Sequence, residues 1–363
     1  MATHFHQLEV KDIRPETASC ISVSFIIPPF LKKEFSFTQG QNITIKIIIA
    51  GQELRRSYSV CSSPLEDELT IAIKKISGGK FSDWANSNLK KGALLDVLPP
   101  TGKFYTELNT ANKKNYIAFA AGSGITPILS IIKTTLSTEP GSSFTLVYGN
   151  RNRGSIIFKE ELEGLKNKYI SRFIIHHILS REKTETLLYN GRIDAAKCES
   201  VFSRLIDINN CDEFFLCGPE EMIFSLKTYF EQKGIEQKKI HFELFTTPGQ
   251  KQALAARQEP GAENSFTDKI SKITIKSDGI SADFDLPYNG EAILNAATKL
   301  GIDLPFACKG GVCATCRAKL ITGDVMMDNN YALEPEEIKN GSILTCQSHP
   351  RSERVVIDFD VKG

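Results

Sequence analysis

The residues of this 363-residue chain best suited to chemistry are four cysteines, Cys308, Cys313, Cys316 and Cys346. They read C-x4-C-x2-C, then one more Cys after 29 intervening residues. Thiolates so spaced wrap a [2Fe–2S] cluster. Three sit on one short loop, where Lys309, Gly310 and Gly311 allow a tight turn and present amide donors, and the fold brings in the fourth. A structural zinc site would need a second short Cys pair, which Cys346 lacks. A Rieske centre would need two His in place of two Cys, and His349 is alone near the four. A disulfide framework belongs to exported chains, and the opening MATHFHQLEV has neither a basic nor an apolar stretch. On these grounds the chain is expected in the cytoplasm.

Other chemistry-bearing segments lie upstream. Arg56-Ser57-Tyr58-Ser59 ends a strand-like run. It offers a cation for a pyrophosphate, an aromatic face for stacking and a small hydroxyl, with residues two apart on one side of the strand. Gly78-Gly79-Lys80-Phe81-Ser82 follows a strand and opens a helix, where free amides bind phosphate oxygens. Gly122-Ser123-Gly124-Ile125-Thr126-Pro127 follows another strand. Its glycines permit close backbone approach to a dinucleotide, Thr126 can cap the next helix, and Pro127 suits that helix's first position. Cys217-Gly218-Pro219 ends a later strand, where ligands of parallel sheets bind; taken alone, Cys217 reads as a buried strand residue. His176 and His177 are strand neighbours facing opposite sides, so they do not act together.

These motifs need elements to position them. Six short strand-like runs fill residues 6–98, interrupted by one helical stretch at 81–89, which predicts a small antiparallel β-barrel. From Tyr116 to Leu244, five apolar strands alternate with helical segments such as 127–136 and 220–232, which predicts a doubly wound α/β sheet. A hairpin, 270–276 with 281–286, and a helix at 291–300 lead into the cluster loop. Residues 246–268, rich in Pro, Gly, Ala, Gln and Glu, read as a linker with a helical turn at 252–257. The domains are therefore 1–108, 109–245, the linker 246–268, and 269–363. The last carries 11 Lys and Arg against 13 Asp and Glu, net −2, whereas residues 1–268 are net +3. A total of +1 and no long apolar run argue against nucleic acid or membrane as partners. Nine cysteines include Cys20, Cys61, Cys198 and Cys211, read as reduced and inert.

In this order, R-x-Y-S, G-x-x-S, G-S-G-I-T-P and C-G-P resemble the ferredoxin-NADP reductase superfamily over residues 3–245. Residues 269–363 resemble a plant-type ferredoxin of α+β, β-grasp fold. A reductase joined to a C-terminal ferredoxin is similar to the oxygenase reductases, among them that of phenylacetyl-CoA epoxidase. The resemblance implies that Arg56, Ser57, Tyr58, Ser59, Lys74, Gly79, Lys80, Phe81, Ser82 and Phe245 bind FAD. It implies that Gly122, Gly124, Thr126, Arg151, Cys217, Gly218 and Pro219 bind the nicotinamide nucleotide, with Ser59, Cys217 and Glu243 in the catalytic set. The segment Ser180-Arg181-Glu182 with Tyr189 resembles a reader of the adenosine 2′-phosphate, helped by Lys183 and Arg151, so NADPH is expected, with NADH open. The implied path runs from NADPH through FAD and the cluster to a separate oxygenase, expected to be a di-iron enzyme of phenylacetate catabolism. No oxygen-activating motif stands in the chain, and His is scarce at six. A reductase for another mono- or dioxygenase, or a non-catalytic electron carrier, stays open.

Overall fold

The computed structural model describes residues 4–245 and 269–361; the linker reading at 246–268 lies outside them. The first unit holds β1 (His6–Thr17), β2 (Cys20–Ile26), β3 (Asn42–Ile49), β4 (Gln52–Ser59), β5 (Leu69–Lys74), α1 (Lys80–Asn88) and β6 (Leu94–Thr101). All its ladders are antiparallel, in the order β4-β3-β6-β1-β2-β5. A bridge from Val60 to Ile71 joins the end strands, so the sheet closes into the expected barrel. Closure leaves no edge to pair with other chains. Leu8, Ile43, Ile45, Ile71 and Val97, among others, are fully buried inside it. Each contributes about 1.5–3 kcal/mol by leaving water.

The second unit runs β7 (Asn115–Ala121), α2 (Ile125–Thr138), β8 (Ser143–Asn150), α3 (Lys159–Lys168), β9 (Phe173–Leu179), α4 (Ala195–Phe202), β10 (Glu213–Gly218), α5 (Glu220–Gln232) and β11 (Ile240–Leu244). Its five strands are parallel, ordered β11-β10-β7-β8-β9. Alternation along β7 shows why both faces are covered. Tyr116, Ala118 and Ala120 pack on the α2–α3 side, and Ile117 and Phe119 on the α4–α5 side. The order reverses between β7 and β10, which opens a crevice at their carboxyl ends. The barrel and this unit share one core, since Cys20, Cys61, Ala72 and Phe104 pack into the α2 cluster.

The third unit comprises β12 (Ile270–Ser277), β13 (Ile280–Pro287), α6 (Ile293–Lys299), β14 (Arg317–Thr322), β15 (Val325–Met327), α7 (Pro335–Lys339), β16 (Ser342–Leu344), β17 (Ser348–Pro350) and β18 (Arg354–Asp358). Its mixed sheet, β13-β12-β18-β14-β16, is grasped by α6, whose Ile293, Leu294 and Ala297 enter the core. No helix among the described residues is long and apolar enough to cross a membrane.

Two local expectations are corrected. The helix after β7 starts at Ile125, so Thr126 and Pro127 are its second and third residues rather than cap and first position. The Thr126 hydroxyl donates to the Ser123 carbonyl at 3.0 Å instead of capping. A proline is harmless there because the first turn has no intrahelical use for its missing N–H. Strand alternation also separates Ser59 from Arg56 and Tyr58. Ser59 shares its parity with Arg55 and Ser57, so alternation alone does not bring the three FAD-type groups together.

Candidate functional site

The barrel mouth, the carboxyl edge of the parallel sheet and the loop after α6 enclose a cleft of about 1350 Å3. A site for one drug-sized ligand occupies roughly 300–1000 Å3, so the cleft has room for a second molecule beside the first. On the barrel side it is lined by Arg56, Ser57, Tyr58 and Ser59 of β4, by Lys74, and by Gly79, Lys80, Phe81 and Ser82 where α1 begins. The Tyr58 ring lies 5.5 Å from that of Phe81, so strand and helix start are packed as one wall. Gly79 is the extended residue before α1, and the Ser82 hydroxyl donates to its carbonyl at 3.2 Å. That fixes a helix N-terminus toward the cleft.

The sheet side supplies Gly122, Thr126, Arg151, Ser180, Gly218, Pro219, Glu243 and Phe245. Gly122 has φ +55, and a side chain there would close on the Lys74 amine. Gly124 lies under the lining: a Cβ on it would come 2.1 Å from the Cys217 carbonyl, so only glycine lets the loop rest on β10. Burial, and then the nearby Arg151, disfavour the charge on Lys74. An anionic ligand would relieve both, which suits phosphate groups. Neither side-chain amide atom of Asn150, buried beside Arg151, has a hydrogen-bond partner among the described residues.

Ser59 donates to Glu243 Oε2 at 2.8 Å, tying barrel to sheet. Burial raises the Glu243 carboxyl to about 7 against the pull of that hydrogen bond. Such a group can hold or release a proton near neutrality. Cys217 pairs in register with Glu243, yet it is fully buried and outside the lining, and burial holds its thiol far above the usual range. It is not a thiolate nucleophile. Arg181 and Tyr189 also stand outside the lining. Arg181 is exposed and its amide donates to the Arg151 carbonyl at 2.8 Å, while the Tyr189 ring stacks on His176 at 6.0 Å.

The cluster loop completes the enclosure, with Cys308, Val312 and Cys313 lining the same cleft. The four thiols influence one another most strongly as two pairs, Cys308 with Cys313 and Cys316 with Cys346. Among the described residues no three His, Cys, Asp or Glu converge on a single ion. Two pairs suit a two-iron group in which each iron takes two thiolates. The Gly310 amide donates to Cys308 Sγ at 3.2 Å, and Gln347 Nε2 reaches Cys346 Sγ at 3.7 Å. The hydrogen bond from Cys313 brings the Cys308 thiol down to about 6, the direction a ligand thiolate needs.

Sequence reasoning overlooked Asn150 and Arg192, which line the cleft. Asn150 ends β8, and its place at a carboxyl end was the available signal. Arg192 follows a turn at Gly191 with φ +105, which carries no motif.

Three family models match the chain: "Oxidoreductase FAD-binding domain" over residues 15–105, "Oxidoreductase NAD-binding domain" over 119–228 and "2Fe-2S iron-sulfur cluster binding domain" over 275–351. Together they define an oxidoreductase with FAD, nicotinamide-nucleotide and [2Fe–2S] domains. The chain is 42% identical to the E component of 1,2-phenylacetyl-CoA epoxidase of Escherichia coli K12, over 99% of each chain. It is 31% identical to the "3-ketosteroid-9-alpha-monooxygenase, ferredoxin reductase component" of Rhodococcus rhodochrous, over 97% of this chain and 96% of the other. The fold matches that of phthalate dioxygenase reductase at TM-score 0.58, with 22% identity and 98% of both chains covered. The chain belongs to the family of electron-transfer reductases of multicomponent oxygenases.

Proposed function

We propose that this protein takes electrons in pairs from NADPH and delivers them singly to a separate oxygenase, using FAD and a [2Fe–2S] cluster. The observation that carries this reading is the shared cleft, where Cys308 and Cys313 face the same space as Arg56, Tyr58, Ser59 and Gly122. Bound FAD supplies the conversion between hydride and single-electron chemistry, which the protein's side chains cannot perform. Arg56 and the amides at Gly79–Ser82 would hold its pyrophosphate, and Tyr58 would offer an aromatic face to its ring system. Glu243, whose Oε2 accepts from Ser59, would hold or release a proton on its other carboxyl oxygen near neutrality. Gly122, Thr126 and Gly218 form the floor for the nicotinamide nucleotide.

The oxygenase partner is read as the di-iron component of phenylacetyl-CoA epoxidase, supported by the 42% identity to one component of that enzyme. Purified protein with NADPH should reduce cytochrome c and oxidise no aromatic substrate. Aromatic product formed without a second protein would overturn this division of labour. The relative from Rhodococcus favours a second reading, a reductase serving a different oxygenase. Comparing oxygenase components as acceptors distinguishes the two.

The coenzyme is read as NADPH from Ser180 at the cleft wall and from the exposed Arg181 that follows it in the chain. An arginine fork gives a 2′-phosphate charge-assisted bonds that NADH cannot make. Arg181→Ala is expected to raise KM for NADPH by roughly tenfold, in line with loss of one charged hydrogen bond, and to leave NADH nearly unchanged. Equal losses for both coenzymes would remove Arg181 from this role.

A further inference from the structure

Arg55 is an arginine buried between two units, 7% exposed, and none of the motifs uses its side chain. It lies on β4 between Leu54 and Arg56, and alternation turns it away from the face that carries Arg56 and Tyr58. Both Nη groups of the guanidinium reach into the third unit. Nη1 donates to the Leu304 carbonyl at 3.0 Å and Nη2 to Asp303 Oδ1 at 3.1 Å. Its plane covers the Phe306 ring at 4.1 Å, with Phe5 of the barrel at 5.0 Å. Nε donates to Glu53 Oε1 at 2.8 Å, which fixes the fork from the barrel side.

These contacts fall at a telling place in the chain. Residues 303–306 run straight into Cys308, the first cluster cysteine. A second contact, Thr44 to Thr315 at 3.5 Å between hydroxyl oxygens, lies beside Cys316. Thr44 is itself held by Ser57 at 3.2 Å, two residues beyond Arg55 on the same side of β4. Both ends of the cluster loop are thus seated on β3 and β4, two strands that also border the cleft.

The geometry points to Arg55 as the positioning residue that registers the ferredoxin unit on the barrel and sets the gap an electron must cross between flavin site and cluster. This deepens the relay reading and rests on it. Electron transfer slows steeply with distance, so a carrier that rocks on its seat relays slowly even with both cofactors intact. Lysine cannot replace the arginine, because a point charge lacks the planar fork and the stacking face.

The test uses full-length holoprotein mixed rapidly with NADPH. Arg55→Ala is expected to reduce its flavin at the wild-type rate and its cluster about tenfold more slowly, the scale of losing one buried arginine anchor. Arg55→Lys should restore little of that rate. Asp303→Ala, on an exposed side chain outside the cleft, should slow cluster reduction by a smaller factor. Independently of turnover, hydrogen–deuterium exchange of the full chain should quicken over residues 303–316 in Arg55→Ala. Unchanged cluster reduction and unchanged exchange in both alanine variants would overturn the assignment. A wild-type protein whose cluster stays oxidised under NADPH would overturn the relay itself, a separate result.

Discussion

Replacing Cys316 with alanine should stop single-electron delivery while leaving NADPH-driven bleaching of the flavin in place. Cys316 is 2% exposed, sits in the core of the third unit and pairs with Cys346, so its loss would take away one of the four thiolates that would hold the cluster. Even residues that only orient a metal's ligands cost ten- to a hundredfold in affinity or activity when removed, so cytochrome c reduction should fall on the order of a hundredfold or more. Iron and sulfide content should fall with it. Ferricyanide, which accepts electrons directly from flavins, should still be reduced by NADPH. Cytochrome c reduction at the wild-type rate in a cluster-free Cys316→Ala protein would show that electrons leave from the flavin.

A comparable effect on stability is expected far from any motif, at Glu139. This carboxylate is fully buried just after α2 and accepts four hydrogen bonds. Oε1 takes them from the Asn109 amide at 3.0 Å and Asn112 Nδ2 at 2.6 Å, Oε2 from the Tyr116 hydroxyl at 2.9 Å and Ser142 Oγ at 2.7 Å. Together these pin the segment leaving the barrel to the first strand and first helix of the parallel sheet. Burial works to raise the carboxyl, but the bonds from Ser142, Asn109, Asn112 and Tyr116 outweigh it and hold Glu139 below its ordinary value.

The sign follows from that depression. The folded state binds the proton less readily than the unfolded chain, so the stabilisation is complete above the unfolded value of about 4.3 and fades as pH falls through the folded one. Glu139→Gln turns two acceptors into one and leaves buried donors facing an amide. The loss should be about 3 kcal/mol, or roughly 10 °C in Tm for a domain of this size. Thermal unfolding by circular dichroism at pH 7 and pH 4 checks both points. The wild type should lose part of its advantage over the variant at the lower pH. A variant equal to wild type at pH 7 would show that the hub stabilises nothing.

The cluster thiols, the β4 motif and the two glycine loops were legible in the sequence because each is a local pattern: a spacing, or a turn between a strand and a helix. The same holds for the strands of the barrel and parallel sheet, where period-two burial leaves a direct trace. What stayed hidden was made by distant pairs. Arg55 meets Asp303 248 residues away, and Ser59 meets Glu243 184 away. Before folding, Arg55 is one more charged residue beside Arg56, and Glu139 is one acidic residue after a helix. The start of α2 was misplaced for a different reason: Thr-Pro looks like a cap and first turn, but Gly122–Gly124 already coil into a short 3-10 turn that runs into the helix. Ser59 was grouped with Tyr58 by motif, although adjacent strand residues cannot share a face.

The double use of β4 bears on how such proteins can be recombined. On the proposed relay, successive residues of one strand address two different redox neighbours, which would make the carrier less than a freely portable cartridge. A chimera that borrows it would need a host strand with arginine at the same parity and a threonine on the neighbouring strand, to meet the acidic residue the carrier brings before its first cysteine. Without that match, the graft would retain its colour and lose its current.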